Sequence, residues 1–357
     1  MKKEEKDVWL LGLASFFNDA GTELITPLLP TLTIMFGGNE IIIGLISAIK
    51  EALPPLINFI GGFIAEKFGI KKTTIFSYIL SGLSKIGIGF STNLAFLVSF
   101  ISLDRIGKGI RGPARDVWIS QLMNKTKGKG FAIRQMLDSA GALLGSLLVL
   151  YLVNVHVPIQ HIILLGGLFG MLAFIPIFSI PGSTGIISKT TNLNVKPIYV
   201  LFTFLMYFTA FGVIIALSLT HSVSNAVFIF VLYNIVYILT TYPAGILADK
   251  FGKRKMLFLS LLFFLISNIF FIHNMLIYAM IGFGLAYGTF KSNLKAFISD
   301  LIHDSVKKFG ILEGSMGLGA LTGNLLLGYT IHLFGLNAFY IPIVSALLSI
   351  FILLNLK

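Results

Sequence analysis

The feature that most restricts this chain is a set of long intervals without charge. No Asp, Glu, Lys or Arg lies between Asp138 and Lys189, between Lys196 and Asp249, between Lys255 and Lys291, or between Glu313 and Lys357. A helix crosses the hydrocarbon layer in roughly 20 residues, so each interval holds one or two crossings. With 56% hydrophobic and 12% charged residues, the chain cannot hide its apolar groups in one aqueous core. Lipid is expected to be part of its solvent.

The placement of the basic residues sets orientation. They cluster at Lys2, Lys3 and Lys6, at Lys67, Lys71 and Lys72, at Lys125, Lys127 and Lys129, at Lys250, Lys253, Arg254 and Lys255, and at Lys307 and Lys308. The alternate connections, Phe36 to Glu40, Ser91 to Asn93, Asn154 to His161, His221 to Asn225, His273 to Asn274 and Phe334 to Asn337, hold no Lys or Arg. Positive charge is retained on the cytoplasmic side, so both termini are expected in the cytoplasm and the number of spans is expected to be even. The net charge of +12 therefore reads as a topology signal with attraction to anionic lipid, and no nucleic-acid partner is expected. The absence of cysteine excludes disulfides and thiolate metal sites. The first apolar stretch, Val8 to Met35, is too long for a cleaved signal and is read as the first span.

Twelve spans are expected, near 8–36, 41–66, 72–91, 94–122, 131–154, 161–180, 197–219, 224–249, 254–272, 275–301, 309–333 and 337–355. The Gly- and Ser-containing stretch 182–196 reads as a cytoplasmic linker between an N-terminal bundle, 1–181, and a C-terminal bundle, 197–357. The halves repeat one another. Gly62, Glu66, Lys67, Gly69, Lys71 and Lys72 follow span two, and Gly245, Asp249, Lys250, Gly252, Arg254 and Lys255 follow span eight with identical spacing. Gly141-Ala142-Leu143-Leu144-Gly145 is echoed by Gly319-Ala320-Leu321-Thr322-Gly323. A duplicated six-helix unit is implied.

The repeated pattern of glycine, acid, lysine, glycine and two cations resembles the signature of the major facilitator superfamily. Ser15-Phe16-Phe17-Asn18-Asp19, Glu23 with Pro27-Leu28-Leu29-Pro30, and Asp104-Arg105-Ile106-Gly107-Lys108-Gly109-Ile110-Arg111 further resemble a subgroup of bacterial and archaeal permeases. The resemblance implies an all-α integral membrane protein of about twelve helices in two pseudo-symmetric bundles around a central cavity. It also implies alternating access and a gate at Gly62, Glu66, Lys67, Gly69, Gly245, Asp249, Lys250 and Gly252. Topology-setting charge alone would explain the lysines but neither the repeated glycines nor the acid. Gly62 and Gly245 are expected to let a neighbouring helix pack closely.

Span four carries the most chemistry. Asp104, Lys108, Arg111 and Arg115 recur at helical spacing and share one face, with Arg105 and Asp116 beside them. Each charge at the bilayer centre costs on the order of 2.5–3.5 kcal/mol, so these six are expected to line the interior or reach the interface. Pro113 among Gly107, Gly109 and Gly112 is expected to bend or interrupt the helix. Arg105 followed by Gly109 resembles the family's second motif, which is associated with proton coupling, although Lys108 stands where Gln is common. Asp19 and Glu23 share a face of span one and, with Arg105, are the proton-coupling candidates; the competing reading makes the two acids structural partners of Arg105 or Lys85. Lys108, Arg111 and Arg115, with Lys291 and Lys295 of span ten, are candidates for binding a substrate of anionic or zwitterionic character. The alternative is mutual salt bridging, with Asp104 and Asp116 neutralising the arginines and Glu313 answering span ten.

The expected function is secondary active transport of a small solute, anionic or amphiphilic, by a proton-coupled monomer in the cell membrane. Export is one direction the resemblance allows, although Ser146 stands where exporters carry proline after the second glycine of span five. The alternative is an uncoupled facilitator or a transporter-like sensor of the same fold. No enzyme activity, cofactor or metal is expected. Lys189-Thr190 lacks the glycine of a phosphate loop, and no His-Glu-x-x-His occurs.

Overall fold

The computed structural model describes residues 3–123, 127–181, 195–220, 222–302 and 306–356, and among these the secondary structure is entirely helical. The linker as far as residue 194, Lys125 and His221 lie outside the described residues. Span one is α1 (Lys3–Ile25), a 3₁₀ turn (Thr26–Leu28) and α2 (Leu29–Met35). The turn falls at Pro27, whose missing N–H tightens the winding. Then follow α3 (Glu40–Phe68), α4 (Ile70–Gly89), α5 (Leu94–Leu122), α6 (Lys127–Asn154), α7 (Ile159–Leu172) and α8 (Ile175–Phe178). After the linker come α9 (Pro197–Thr209), α10 (Val213–Leu217), α11 (Val223–Phe251), α12 (Lys253–Ile272), α13 (Leu276–Ile302), α14 (Val306–Phe334) and α15 (Tyr340–Asn355).

With α1 and α2, α7 and α8, and α9 and α10 each forming one span, the described helices supply twelve. Six stretches among them are long and apolar enough to cross a membrane by length and hydropathy alone. Others fall short because they carry charge, α5 above all. Large apolar side chains such as Phe76, Leu239 and Phe351 are more than half exposed. That arrangement is costly in water and ordinary against lipid.

Two compact units result. The first holds the described residues of 1–37 and 53–188, and the second those of 38–52 and 189–357. The sequence division placed all of span two in the first half. In the structure the N-terminal half of α3 groups with the second unit, tied there by Ser47 Oγ to Asn324 Oδ1 at 2.7 Å, by Glu40 to His332 at 2.9 Å, and by Gly44 set against Gly328.

The repeated motif has a structural cause within each unit. Gly69 and Gly252 hold φ of +87° and +96°, a region that favours glycine, and each begins the helix that follows. Lys71 donates to the carbonyls of Phe178 and Ile180 at 2.9 and 2.6 Å, and Arg254 to that of Leu354. In both units a cation at the start of the third span thus meets exposed carbonyls at the end of the sixth. The second repeat is a packing device. A Cβ on Gly141 or Gly145 would collide with the carbonyl oxygens of Phe16 and Ala20, and one on Gly319 or Gly323 with those of Phe204 and Phe208. First and fifth spans therefore press backbone to backbone in each half, as small residues permit.

One expectation is corrected. A Cβ on Gly62 or Gly245 would meet no described atom within 4 Å, so no neighbour packs tightly there. The close contact belongs to the adjacent Gly61, against Gly109 and Ile110 of α5.

These placements predict opposite outcomes for like substitutions. Gly62→Ala and Gly245→Ala should leave thermal stability in detergent unchanged or raise it by up to about 1 kcal/mol, the helix-propensity gain. Gly145→Ala and Gly323→Ala should each cost about 1–3 kcal/mol through overpacking. Melting curves on purified protein check both.

Candidate functional site

The interior of the first unit holds a continuous polar seam contributed by α1, α4, α5 and α6. At its centre Asp104 of α5 is 3% exposed. Oδ1 accepts from Lys85 Nζ of α4 at 2.9 Å and from Ser81 Oγ, while Oδ2 accepts from Arg105. Lys85, 1% exposed, also donates to Asn18 Oδ1 and Ser81 Oγ, both at 2.9 Å. The three ammonium protons are thereby placed, which is what a fully buried lysine requires. Gly107 makes the arrangement possible, because a side chain there would crowd the Ser77 carbonyl of α4.

The seam continues from this triad. Asn18 Nδ2 donates to Asp19 Oδ1 at 3.1 Å, and Asp19 is an electrostatic neighbour of Arg111. Arg111, 3% exposed, lies over the Tyr78 ring with its guanidinium carbon 4.7 Å from the centroid, a favourable cation–π placement. The Tyr78 hydroxyl is 3.2 Å from Ser15 Oγ, which accepts from Arg115 Nη1 at 3.0 Å. Arg115 has Asp116 at 3.7 Å and Asp138 of α6 as charged neighbours. Asp138 accepts from Arg134 Nη1 at 2.8 Å.

Lys85, Arg105, Arg111, Arg115 and Arg134 thus face Asp19, Asp104 and Asp138 in the interior, with Asp116 half exposed at the margin. Cations are in excess. Buried guanidinium nitrogens remain without hydrogen-bond partners: Arg105 Nε, Arg111 Nη1, Arg115 Nε and Arg134 Nε.

The seam gathers several of the predicted residues and leaves others out. Arg105, Arg111, Arg115 and Asp19 belong to it. Arg105 is engaged by Asp104, as is Lys85. Glu23 is half buried and Lys108 exposed. Asn18, Ser81, Tyr78 and Ser15, which complete the network, were missed as site residues. Their helical spacing toward Asp19, Lys85 and Asp104 was the available signal. Of the bend or interruption expected at Pro113, the interruption does not occur: α5 runs unbroken past it.

In the second unit the same scaffold has a different lining. Gly288 of α13 takes the place of Gly109 of α5. A Cβ on Gly109 would meet Pro54 and Ile57, and one on Gly288 would meet Tyr237 and Thr240, the corresponding positions of the second span in each repeat. Counting from these glycines, Asp104, Lys108, Arg111 and Arg115 correspond to Phe283, Tyr287, Phe290 and Leu294, all buried. The stripe is aromatic and aliphatic where the first unit's is charged.

Tyr287 Oη lies within hydrogen-bonding distance of the carbonyls of Ala210 and Phe211, at 3.0 and 2.8 Å. These sit at a break between α9 and α10 that sequence reading did not anticipate. Gly212 N, at the same break, donates to Asn324 Oδ1 at 2.7 Å. The freed backbone groups are therefore met inside the protein, as a hydrocarbon setting demands. Lys291 lies over the Tyr287 ring, 4.9 Å from its centroid, and Lys295 pairs with Glu313 at 3.4 Å. The residues expected to form the gate, Glu66, Lys67, Asp249 and Lys250, are exposed, and Lys67 and Lys250 stand over Phe68 and Phe251, each 5.4 Å from the ring centroid. No group of three or more potential metal ligands occurs among the described residues.

Twelve spans in duplicated halves, with a charged seam in one and a broken aromatic-lined span in the other, define a polytopic membrane transporter. The family description Major Facilitator Superfamily matches residues 11–193 and 198–357, and the chain belongs to that superfamily. An uncharacterized MFS-type transporter of Methanocaldococcus jannaschii is 32% identical, over 97% of this chain and 95% of its own. A multidrug resistance protein of Shigella dysenteriae serotype 1 is 26% identical over 33% of this chain and 31% of its own. The crystal structure of a D-xylose-proton symporter matches with a TM-score of 0.80 at 14% identity, covering 98% of this chain and 96% of that one. That last likeness concerns the fold.

The triad makes an ordered prediction. Asp104→Ala strands two buried cations and should cost about 3–5 kcal/mol, whereas Lys85→Met leaves the Asp104–Arg105 pair and should cost clearly less. Thermal unfolding of both variants in detergent checks the order, and equal losses would contradict it.

Proposed function

We propose that this protein is a secondary active transporter that moves a small anionic or amphiphilic solute across the cell membrane by alternating access, coupled to protons. The observation that carries the reading is the cation excess of the seam, with buried N–H groups of Arg105 and Arg111 lacking partners. An unmet buried donor costs about 1–3 kcal/mol, more when charged, and an anion placed against it recovers that cost. Arg111 and Arg115 are the substrate-binding residues of this reading, with Lys108, Lys291 and Lys295 as exposed or half-buried cations that attract the solute. Proton coupling is supported by the carboxylates interleaved with these cations, Asp19 among them.

The repeated loop residues Gly62, Glu66, Lys67 and Gly69, with Gly245, Asp249, Lys250 and Gly252, act as gates. The protein works as a monomer and performs no covalent chemistry. Its span-four motif supports a place in the bacterial and archaeal permease subgroup. The basic clusters place both termini in the cytoplasm. Reporter fusions at each end check this last point: activity of an exported reporter at either end would reverse the topology.

Uptake into proteoliposomes across a panel of small anions, drugs and sugars, with and without an imposed pH difference, tests the central reading. The expected result is accumulation of an anionic solute driven by the pH difference. Arg111→Gln should lower uptake at subsaturating solute by on the order of tenfold or more, the loss of a charge-assisted contact. Flux indifferent to both the pH difference and Arg111→Gln would leave an uncoupled facilitator that recognises its solute elsewhere.

A further inference from the structure

Two carboxylates embedded in the seam are held in opposite ways. Asp104 has both oxygens covered, by Lys85 and Ser81 on one side and Arg105 on the other. Nothing in its surroundings calls for a proton. Asp138 has Oδ2 on Arg134 at 2.8 Å, but Oδ1 is closed off from solvent without a hydrogen-bond partner. An ionised oxygen left dry and bare is among the costliest arrangements in a protein interior, and adding a proton to it removes most of the cost. Asp138 lies about 16 Å along α6 from the first residue of that helix, well inside its apolar span.

Facing Asp138 from α1 are Ser15 and the like charge of Asp19, and from α5 Arg115 with Asp116 behind it. Arg134 belongs to α6 itself, and Tyr78 of α4 reaches the site through Ser15. The titratable group of α7 is His161, in the first turn of that helix. Asp138 thus stands between the cations of Arg134 and Arg115 on one side and the carboxylate of Asp19 on the other, with Ser15 beside it.

We propose that Asp138 is the proton-carrying residue of the first unit, taking the proton on Oδ1 and giving it up when Arg134 and Arg115 hold it ionised. Asp19 and Arg134 tune its proton affinity, and Glu23 and Arg105 do not carry the proton. This rests on the proton-coupled reading above and assigns its site. It also fixes the sign of coupling. A proton on Asp138 cancels one of the seam's negative charges and leaves Arg115 and Arg134 less compensated, so protonation and anion binding favour one another.

The test needs no known substrate. A hydrophobic carbodiimide adds to protonated buried carboxyls, and the adduct is located by peptide mass spectrometry on the purified full chain in lipid nanodiscs. Asp138 should be labelled, with labelling that falls as the pH rises. At a pH where the parent protein is half labelled, Arg134→Gln should raise labelling toward completion. Asp19→Asn should lower it, by about fivefold for one unit of proton affinity. Asp104 should stay unlabelled throughout. If Arg134→Gln does not fold, Asp19→Asn alone carries the test. Absence of label on Asp138 at every pH, or labelling that neither substitution changes, would overturn the proposal.

The two readings fail separately. Accumulation driven by the pH difference that survives Asp138→Asn would defeat this assignment and leave proton-coupled transport standing. A titrating Asp138 in a protein that shows no proton-driven flux would do the reverse.

Discussion

The Asp104 carboxylate is the interaction on which the first unit depends. A helix interior in hydrocarbon offers no water to a stranded ion, so every buried charge must find its counterpart within the bundle. Lys85 and Arg105 arrive on two helices, and one carboxylate meets both. Without it, α4 and α5 would each bring a cation into the same dry volume. The closeness of Gly107 to the α4 backbone and the placement of Asn18 from α1 follow from the geometry that this carboxylate requires.

Duplication supplied the frame, and the two copies then diverged in chemistry. Turn glycines at Gly69 and Gly252, the cation-to-carbonyl clamps of Lys71 and Arg254, and the backbone contacts at Gly141 and Gly319 are shared because they solve the same packing problem. The stripe facing inward from the fourth span is free of that problem. In the first copy it carries Asp104, Lys108, Arg111 and Arg115. In the second, Phe283, Tyr287, Phe290 and Leu294 build an aromatic core and a tyrosine that holds a broken span together. A charged half can recognise ions, and an aromatic half can tolerate a break in its backbone, because Tyr287 and Asn324 satisfy what the break exposes.

How far the sequence foretold this depends on the range of each interaction. The span count, the repeat and the turn glycines were legible because they rest on local rules: apolar length, spacing and the sterics of positive φ. The break at Ala210–Gly212 was not, since no proline marks it and the residues that permit it, Tyr287 and Asn324, lie more than seventy positions away. Pro113 does not end its helix. A proline removes one donor and strains one turn, which a helix buttressed by close neighbours absorbs without ending. The partners of Arg105 were readable only as alternatives. Asp19, Glu23 and the adjacent Asp104 all satisfied charge, and only tertiary placement chose Asp104.

The contrast between Asp104 and Asp138 separates structure from function within one seam. A carboxylate with every lone pair answered contributes rigidity and has no reason to change state. One that is answered on a single side is free to change state as Arg115 or Arg134 shifts. The cation excess then matters as much as the acid. On the proposed reading a proton and an anion do not compete for the seam; each makes the other's binding more favourable, and by the same factor. A transporter built on that reciprocity moves the two in the same direction, whichever way the gradients point.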